Sequence, residues 1–378
     1  MKNIPLSLYI HTPWCTRKCP YCDFNSHPLR AELPEDSYAQ ALLADFKSHL
    51  ITIQDRPIHT IFIGGGTPSL LSPRFYETLF QQLKTYVTIP HPIEITLEAN
   101  PGTVEQSRFQ DYRDIGINRL SLGIQSFQAN KLKKLGRIHD DTEAIQAVVA
   151  VKNAGFTNFN LDLMYGLPDQ TIADALFDLQ TALALQPTHL SWYQLTLEPN
   201  TYFHRFPPTL PSEEWLWEIQ ETGHAYLTQS GLEHYEVSAY CQSDYRCQHN
   251  VNYWEFGDYL GIGAGAHSKI TDYLSGKINR HWNVKNPKDY LNPHQSCIAG
   301  QSTVSATELP LEFMMNALRL QNPVSTHLML QRTGLTMADM QAQLQHALEK
   351  DFLSIENDSF HVTPWGKRYL NELLEIFV

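Results

Sequence analysis

The chain has 378 residues, with 40 acidic and 28 Lys and Arg side chains and a net charge of −12. Hydrophobic residues make up 42% and charged residues 18%, which is typical of a folded protein and excludes a disordered chain. Because nucleic-acid binding needs a basic surface, we expect no nucleic-acid partner. No apolar run reaches the ~18 residues of a transmembrane helix, and the start of the chain does not resemble a signal peptide. These features predict a cytoplasmic protein without a transmembrane segment.

Short apolar segments alternate with amphipathic segments through the first half of the chain. The apolar runs predict strands over 6–11, 59–64, 94–100, 119–125, 158–164 and 189–197. Between them, apolar residues at helical spacing predict helices over 37–50, 140–153 and 172–185. Nearly continuous apolar strands are typical of parallel sheets that are covered on both faces. The alternation therefore predicts an α/β fold, either a β/α barrel or an open parallel sheet.

The regular alternation ends near residue 235. We predict a core barrel over 1–235, an extension of it over 236–300 that is rich in aromatic residues, Asn and Gly, and a mostly helical domain over 301–378. In the last segment, two helices, a small hairpin over 352–363 and a final helix indicate a winged-helix-like module. Its 5 basic and 9 acidic residues favour packing or partner docking over DNA binding.

Polar or glycine residues stand where the predicted strands end. At the ends of five strands they are, in order, Gly64 to Gly66, Glu98 with Asn100, Gln125, Asp162 and Gln194. Any one of them could simply begin a solvated loop. In a barrel, however, the carboxyl ends of the strands meet at one mouth, where ligands bind. The five together predict a shared site.

Three cysteines, Cys15, Cys19 and Cys22, lie just after the first predicted strand with the spacing CX3CX2C. Three thiolates can bind three irons of a [4Fe–4S] cluster and leave the fourth iron open to a small molecule. Two alternatives remain: structural zinc, with His11 or His27 as the fourth ligand, and a redox-active trio. Zinc sites usually combine two CxxC pairs, and this chain has no second pair, so we favour the cluster.

The cysteine spacing, with Tyr21 directly before the last cysteine, resembles the radical S-adenosylmethionine (SAM) superfamily. Further segments resemble the oxygen-independent coproporphyrinogen III oxidase group and, within it, the HemW-type heme chaperones. These segments are LYIHTPW at 8–14, GGGTPS at 64–69, EANPG at 98–102, QSF at 125–127, LGR at 135–137 and DLMYGLP at 162–168. The resemblance implies a partial (β/α)6, TIM-like radical SAM barrel with a C-terminal, mostly helical, winged-helix-like domain.

The same resemblance assigns a set of SAM-binding residues. The glycine turn before Thr67 would bind the methionyl amino end, since glycine lets the backbone approach a ligand closely. Glu98 would accept the ribose hydroxyls, and the planar guanidinium of Arg137 suits the methionyl carboxylate. The full set is Tyr9, Tyr21, Gly65, Gly66, Thr67, Glu98, Gln125, Arg137, Asp162 and Gln194.

Residues 249–254 carry the pattern HNxxYW, a signature of the heme-chaperone branch. An imidazole can bind heme iron, and aromatic rings offer flat apolar faces to a porphyrin. The spacing alone would favour a polar turn with two packed aromatics; the resemblance assigns heme to His249, Asn250, Tyr253 and Trp254. Three further residues nearby are weaker candidates: Cys241, Cys247 and His267. Of these we expect Cys247 to be a small buried apolar side chain.

The resemblance implies a heme chaperone that binds a [4Fe–4S] cluster, SAM and heme. It would pass heme to an acceptor protein, with a respiratory, membrane-associated protein as the candidate, and draw electrons from a reductant such as flavodoxin or ferredoxin. The alternative is a coproporphyrinogen III oxidase, which forms vinyl groups by radical oxidative decarboxylation. The oxidases carry a fourth cysteine where this chain has Phe24, and an N-terminal extension that this sequence lacks. We therefore favour the chaperone.

Overall fold

The computed structural model describes residues 4–378, apart from the side chains of residues 103 and 104; residues 1–3 of the predicted core lie outside the described part. Its strands are β1 Leu6–Thr12, β2 Trp14–Cys15, β3 His27–Pro28, β4 Ile58–Gly65, β5 Glu94–Ala99, β6 Arg119–Gln125, β7 Phe159–Tyr165, β8 His189–Gln194, β9 Glu233–Glu236, β10 Ala239–Cys241, β11 Asp258–Ile262, β12 His267–Thr271, β13 Ile278–Asn283, β14 Ile298–Thr303, β15 Val324–Ser325, β16 Leu353–Glu356 and β17 Ser359–Val362.

The helices are α1 Glu35–Ser48, α2 Leu50–Ile53, α3 Pro73–Leu83, α4 Thr103–Gln106, α5 Phe109–Asp114, α6 Ala129–Lys134, α7 Asp141–Asn153, α8 Ile172–Ala184, α9 Tyr202–Arg205, α10 Glu213–Gln229, α11 Gln248–Trp254, α12 Pro287–Tyr290, α13 Leu309–Ala317, α14 Thr326–Thr333, α15 Gln341–Glu349, α16 Pro364–Arg368 and α17 Leu370–Glu375. Short 3₁₀ turns occupy Pro68–Leu70 and Met337–Met340. No helix within residues 4–378 is long and apolar enough to cross a membrane.

One twelve-stranded sheet has the order β14-β13-β12-β11-β1-β4-β5-β6-β7-β8-β10-β9. The stretch from β11 through β1 to β8 is parallel, and the outer strands are antiparallel. Among the described residues the two end strands do not pair, so the sheet does not close and the barrel is only partial. The predicted α/β fold is confirmed, and all six predicted strands are present. The sequence pattern missed β11 as a seventh parallel strand.

Local sequence explains the parallel core. Strand β1 is buried along nearly its whole length, as expected for a strand that helices and loops cover on both faces. Helices α7 and α8 each begin with a capping box, in which Asp140 pairs with Glu143 and Thr171 with Asp174. Gly155 follows the end of α7 with a φ of +80°, the left-handed conformation that suits glycine after a helix. These signals mark where α7 and α8 begin and where α7 ends.

Residues 233–303, which include the predicted extension over 236–300, continue the sheet on both sides and cover the lower end of the barrel. Strands β9 and β10 continue the sheet beyond β8, while β11 to β14 continue it beyond β1. Helix α11 contacts the strands at their amino ends: the Asn252 side chain donates to Ser7 Oγ at 2.8 Å, and the His249 backbone donates to Glu94 at 3.1 Å. The mouth of the barrel, at the carboxyl ends, stays open.

The C-terminal part combines helices α13 to α17 with a small sheet of order β15-β17-β16. A separate apolar core holds it together, centred on Phe313, Met329, Phe360 and Phe377. This arrangement is winged-helix-like, as the sequence predicted. The prediction missed α14 and β15, because an eight-residue helix after a two-residue strand leaves little periodic signal.

Candidate functional site

A cavity of about 340 Å³ lies at the carboxyl ends of the parallel strands, a volume within the range of ligand sites. Its walls include all three predicted cluster cysteines. They also include every predicted SAM residue except Tyr9, which lies beneath the wall and hydrogen-bonds His11 at 3.0 Å. Phe24, at the position of the oxidases' fourth cysteine, lines the cavity too and is 58% exposed.

The cysteines belong to the loop between β1 and α1. Strand β2, which ends at Cys15, pairs with β3, and the backbone N–H of Cys22 donates to the Cys19 carbonyl at 3.1 Å. Cys15 is buried, and burial raises the pKa of its thiol. The loop therefore holds three thiols toward one cavity.

The zinc alternative depends on His11 or His27 as the fourth ligand. His11 is hydrogen-bonded through both ring nitrogens, to Tyr9 and to the Asn25 carbonyl, and His27 is bonded to Asn25 and to the Lys285 carbonyl. Neither imidazole lines the cavity. Within residues 4–378, no three or more His, Cys, Asp or Glu side chains are arranged to hold a metal ion. Three thiols around a shared space fit a group larger than a single ion, such as an iron–sulfur cluster. In such a cluster each thiolate binds a different iron.

The glycine turn follows β4 and is held against the first strand. Gly65 donates its N–H to the Glu98 carboxyl at 3.1 Å, and Gly66 donates to the Thr12 carbonyl at 2.7 Å. A Cβ on Gly66 would lie 2.3 Å from the Trp14 carbonyl oxygen. We expected glycine here for close approach to a ligand; the structure shows that the chain's own backbone already requires it.

Two buried carboxyl groups face this cavity. Burial, together with the neighbouring Asp162 charge, raises the pKa of Glu98 to about 8. Burial also raises the pKa of Asp162, although Ser121 and Asn160 donate hydrogen bonds to it at 3.0 and 2.7 Å. Near neutral pH Glu98 is therefore largely protonated and can both donate and accept hydrogen bonds.

Arg137 reaches from the loop after α6 to the strand ends. Its Nη2 donates to Asn100 Oδ1 at 2.6 Å and to the Gly123 carbonyl at 2.7 Å, and Asn100 in turn donates to Thr67 at 3.0 Å. Among the described residues, the buried Nε of Arg137 has no hydrogen-bond partner. We had placed Asn100 among the polar strand ends but not in the SAM set. The structure places it between two predicted SAM residues.

Strand β6 contributes Gln125, and strand β8 contributes Tyr193 and Gln194. Gln125 has a φ of +71°, and its side-chain carbonyl accepts a hydrogen bond from the Tyr193 hydroxyl at 2.8 Å. Gln194 is exposed at the rim. Sequence reasoning missed Tyr193, because an aromatic residue inside an apolar strand gives no signal of its own.

The HNxxYW motif lies at the opposite end of the barrel, on α11. His249 is 1% exposed, and its ring nitrogens are hydrogen-bonded to Thr60 at 2.8 Å and to the Tyr253 hydroxyl at 3.3 Å. Burial lowers the pKa of His249 to about 3, so the ring is neutral. In this conformation the imidazole is a packed part of the barrel's lower end and faces no open space.

The neighbours of His249 are also packed. Tyr253 contacts the Tyr259 ring at 4.4 Å, and the Arg319 guanidinium lies 4.4 Å from the Trp254 ring. Asn250 is half-buried. Of the weaker candidates, Cys241 and Cys247 are buried and His267 is exposed; the burial of Cys247 agrees with the expected small apolar side chain.

Comparisons with known proteins agree along the whole chain. The family model for the radical SAM superfamily matches residues 9–180, and that for the HemN C-terminal domain matches residues 304–369. Heme chaperone HemW of Escherichia coli K12 is 49% identical over 378 residues, covering 100% of this chain and 99% of that protein. Heme chaperone HemW of Bacillus subtilis 168 is 30% identical over 98% of this chain and 99% of that protein.

Among solved structures, coproporphyrinogen III oxidase (HemN) from Escherichia coli, described as a radical SAM enzyme, superposes with a TM-score of 0.83. The match covers 99% of this chain and 90% of that one at 24% sequence identity, so it establishes a shared fold and not a shared reaction. The identity of 49% to the Escherichia coli heme chaperone over the full length is about twice as high, and it shows that the chain belongs to the HemW family of heme chaperones within the radical SAM superfamily.

Proposed function

We propose that this protein is a heme chaperone that binds a [4Fe–4S] cluster on Cys15, Cys19 and Cys22, binds SAM in the adjoining cavity, and carries heme to an acceptor protein. The observation that carries the cofactor part is the convergence of three thiols and nine predicted SAM residues on one cavity. The heme part is supported by relatives that share the whole length of the chain and are named heme chaperones.

The chain's own residues supply a distinct contact for each part of SAM. A cluster held by the three cysteines would leave one iron open to SAM and would pass an electron from the reductant to the sulfonium. Nη2 of Arg137 is fixed by Asn100 and Gly123, so Nη1, beside the Cys19 sulfur, can donate to the methionyl carboxylate. Glu98 and Asp162 can accept hydrogen bonds from the ribose hydroxyls, with Gly65 N–H holding the Glu98 carboxyl in place.

Heme binding through HNxxYW is the second part of the proposal, with His249, Asn250, Tyr253 and Trp254 as its residues. Because His249 is buried and hydrogen-bonded on both nitrogens, heme can reach it only if α11 moves away from Thr60. We therefore propose that heme binding at this motif is coupled to displacement of α11. Protection of the α11 amides from hydrogen exchange should fall when hemin is added; unchanged protection with full hemin binding would contradict this step.

The acceptor we propose is a respiratory, membrane-associated heme protein, and the reductant is flavodoxin or ferredoxin. The direct test loads the anaerobically reconstituted protein with hemin and mixes it with an apo-acceptor, following heme by absorption. We expect transfer to the acceptor, faster than from hemin bound to serum albumin. Equal rates, or formation of protoporphyrinogen from coproporphyrinogen with SAM and reductant, would overturn the chaperone proposal in favour of an enzyme.

A further inference from the structure

A second cavity, of about 720 Å³, lies far from the cysteines, between the sheet edge at β9 and β10, helix α10 and helix α16. Its volume is about twice that of the cavity at the barrel mouth and within the range of cofactor sites. No predicted SAM or heme residue lines it. It therefore needs an explanation of its own.

One face of α10 forms the first wall. Trp217, Gln220, Glu221 and His224 line the cavity, and their spacing of three, four and seven residues places them on one side of the helix. The Trp217 side chain is 38% exposed although it is large and apolar. A partly exposed aromatic ring beside an imidazole is suited to a flat, conjugated ligand.

The sheet edge forms the second wall. His234 on β9 and Tyr240 on β10 are cross-strand partners, and their rings stack at 4.5 Å with an interplanar angle of 11°. His224 Nδ1 lies 3.4 Å from the Tyr240 hydroxyl, and its Nε2 has no hydrogen-bond partner within residues 4–378. A histidine held through one ring nitrogen with the other free has the arrangement of a metal ligand.

Only one of the two histidines can be the ligand. The ring centroids of His224 and His234 are 4.7 Å apart, in an edge-to-face arrangement. Two imidazoles on opposite faces of one iron would have centroids roughly 6 Å apart, given metal–nitrogen bonds of about 2 Å. His234 Nε2 is already hydrogen-bonded, to the Val237 carbonyl at 3.4 Å, whereas His224 Nε2 is free among the described residues. His234 therefore positions His224.

Helix α16 brings two cations to the third wall. Lys367 and Arg368 line the cavity, and neither forms an ion pair in the described part of the chain, although Glu221 and Asp351 are also in the walls. The Arg368 guanidinium lies over the Trp217 ring at 4.6 Å. Unpaired cations are unusual in a cavity of a chain with a net charge of −12, and they favour an anionic ligand.

We propose that this cavity binds an iron porphyrin, with His224 as the iron ligand, the aromatic walls against the macrocycle, and Lys367 and Arg368 on its propionates. The inference rests on the proposed function, because it takes heme as the cargo. It gives the heme an open site in the conformation described, whereas His249 is enclosed. The two sites are neighbours: Leu320 lines this cavity, and the adjacent Arg319 packs on Trp254.

The test titrates the full chain with hemin and with metal-free protoporphyrin IX, following the Soret band of each. His224→Ala should weaken hemin binding on the order of tenfold and shift its Soret band, while leaving metal-free protoporphyrin binding unchanged. The double variant Lys367→Gln, Arg368→Gln should weaken both ligands by a similar factor, since both carry propionates. His294→Ala, an exposed histidine elsewhere, serves as the matched control.

The outcomes separate the two proposals. If the wild type binds hemin and His224→Ala binds it with the same affinity and the same spectrum, this site is refuted while the chaperone proposal stands. If the wild type binds no hemin, both fall. Circular dichroism of each variant, compared with the wild type, confirms that a lost affinity is not lost folding. A loss confined to His249→Ala also refutes this site.

Discussion

The guanidinium of Arg137 lies 3.6 Å from the sulfur of Cys19, with Nη1 as the contacting nitrogen. The other terminal nitrogen is fixed by Asn100 and by the Gly123 carbonyl. One side chain thus connects the cysteine loop with the ends of two strands. It ties the geometry of the proposed cluster site to that of the proposed SAM site.

Replacing Arg137 by Lys keeps the positive charge but removes the planar guanidinium with its two terminal nitrogens. A single ammonium group cannot hydrogen-bond to all of these partners at once. We expect SAM affinity to fall on the order of tenfold to a hundredfold, with iron content unchanged. Equilibrium dialysis of SAM against reconstituted protein measures the SAM affinity, and iron analysis measures the iron content. Arg74→Lys, on the exposed face of α3, is the control. Wild-type affinity in Arg137→Lys would contradict the role assigned to the guanidinium.

Gly66→Ala tests whether the turn is required by the chain itself. The new Cβ would lie 2.3 Å from the Trp14 carbonyl, so the turn or the cysteine loop must shift. We expect a loss of more than about 2 kcal/mol in the free energy of unfolding, even without cofactors. Gly116→Ala, at a φ of +103° with nothing near its Cβ, should cost only ~1–2 kcal/mol of backbone strain. Equal costs in urea denaturation would contradict the steric explanation.

Glu98 should make the protein less stable as pH rises. Its pKa is raised from 4.5 to about 8, so between these values the folded chain binds more protons than the unfolded chain, and stability falls with increasing pH. Glu98→Gln removes this dependence. Relative to the variant, the wild type should therefore lose stability between about pH 4.5 and 8. Parallel pH profiles from urea denaturation would show that Glu98 titrates normally.

His249 should have the opposite pH dependence. Its pKa is lowered from 6.5 to about 3, so the folded form favours the neutral ring, and this contribution is lost as pH falls below 6.5. His249→Ala also opens a cavity and leaves Thr60 without its partner, which should cost about 2–4 kcal/mol near neutral pH. The cost should shrink at about pH 5. The exposed neighbour His59→Ala should cost little at either pH; a pH-independent cost for His249→Ala would refute the assignment.

The six central strands were predictable because they are short segments rich in apolar residues that alternate with amphipathic helices, and the cysteine loop was predictable because its spacing is local. The seventh parallel strand was not, since β11 is defined by pairing Leu6 with Asp258 across the chain. The location of His249 was also not predictable, because it depends on contacts with residues distant in sequence. Thr60 and Phe62 enclose it, and the motif HNxxYW contains no sign of them. Asn100 and Tyr193 acquire their roles only through contacts with Arg137 and Gln125, which lie on other strands or loops.

The measurement that tests the central claim most directly is iron and acid-labile sulfide analysis after anaerobic reconstitution. We predict four irons and four sulfides per chain in the wild type and in Cys297→Ala, a cysteine outside the loop. Each of Cys15→Ala, Cys19→Ala and Cys22→Ala should lose the cluster and its visible absorption. Bound zinc without sulfide in the wild type, or an intact cluster in all three loop variants, would contradict the account.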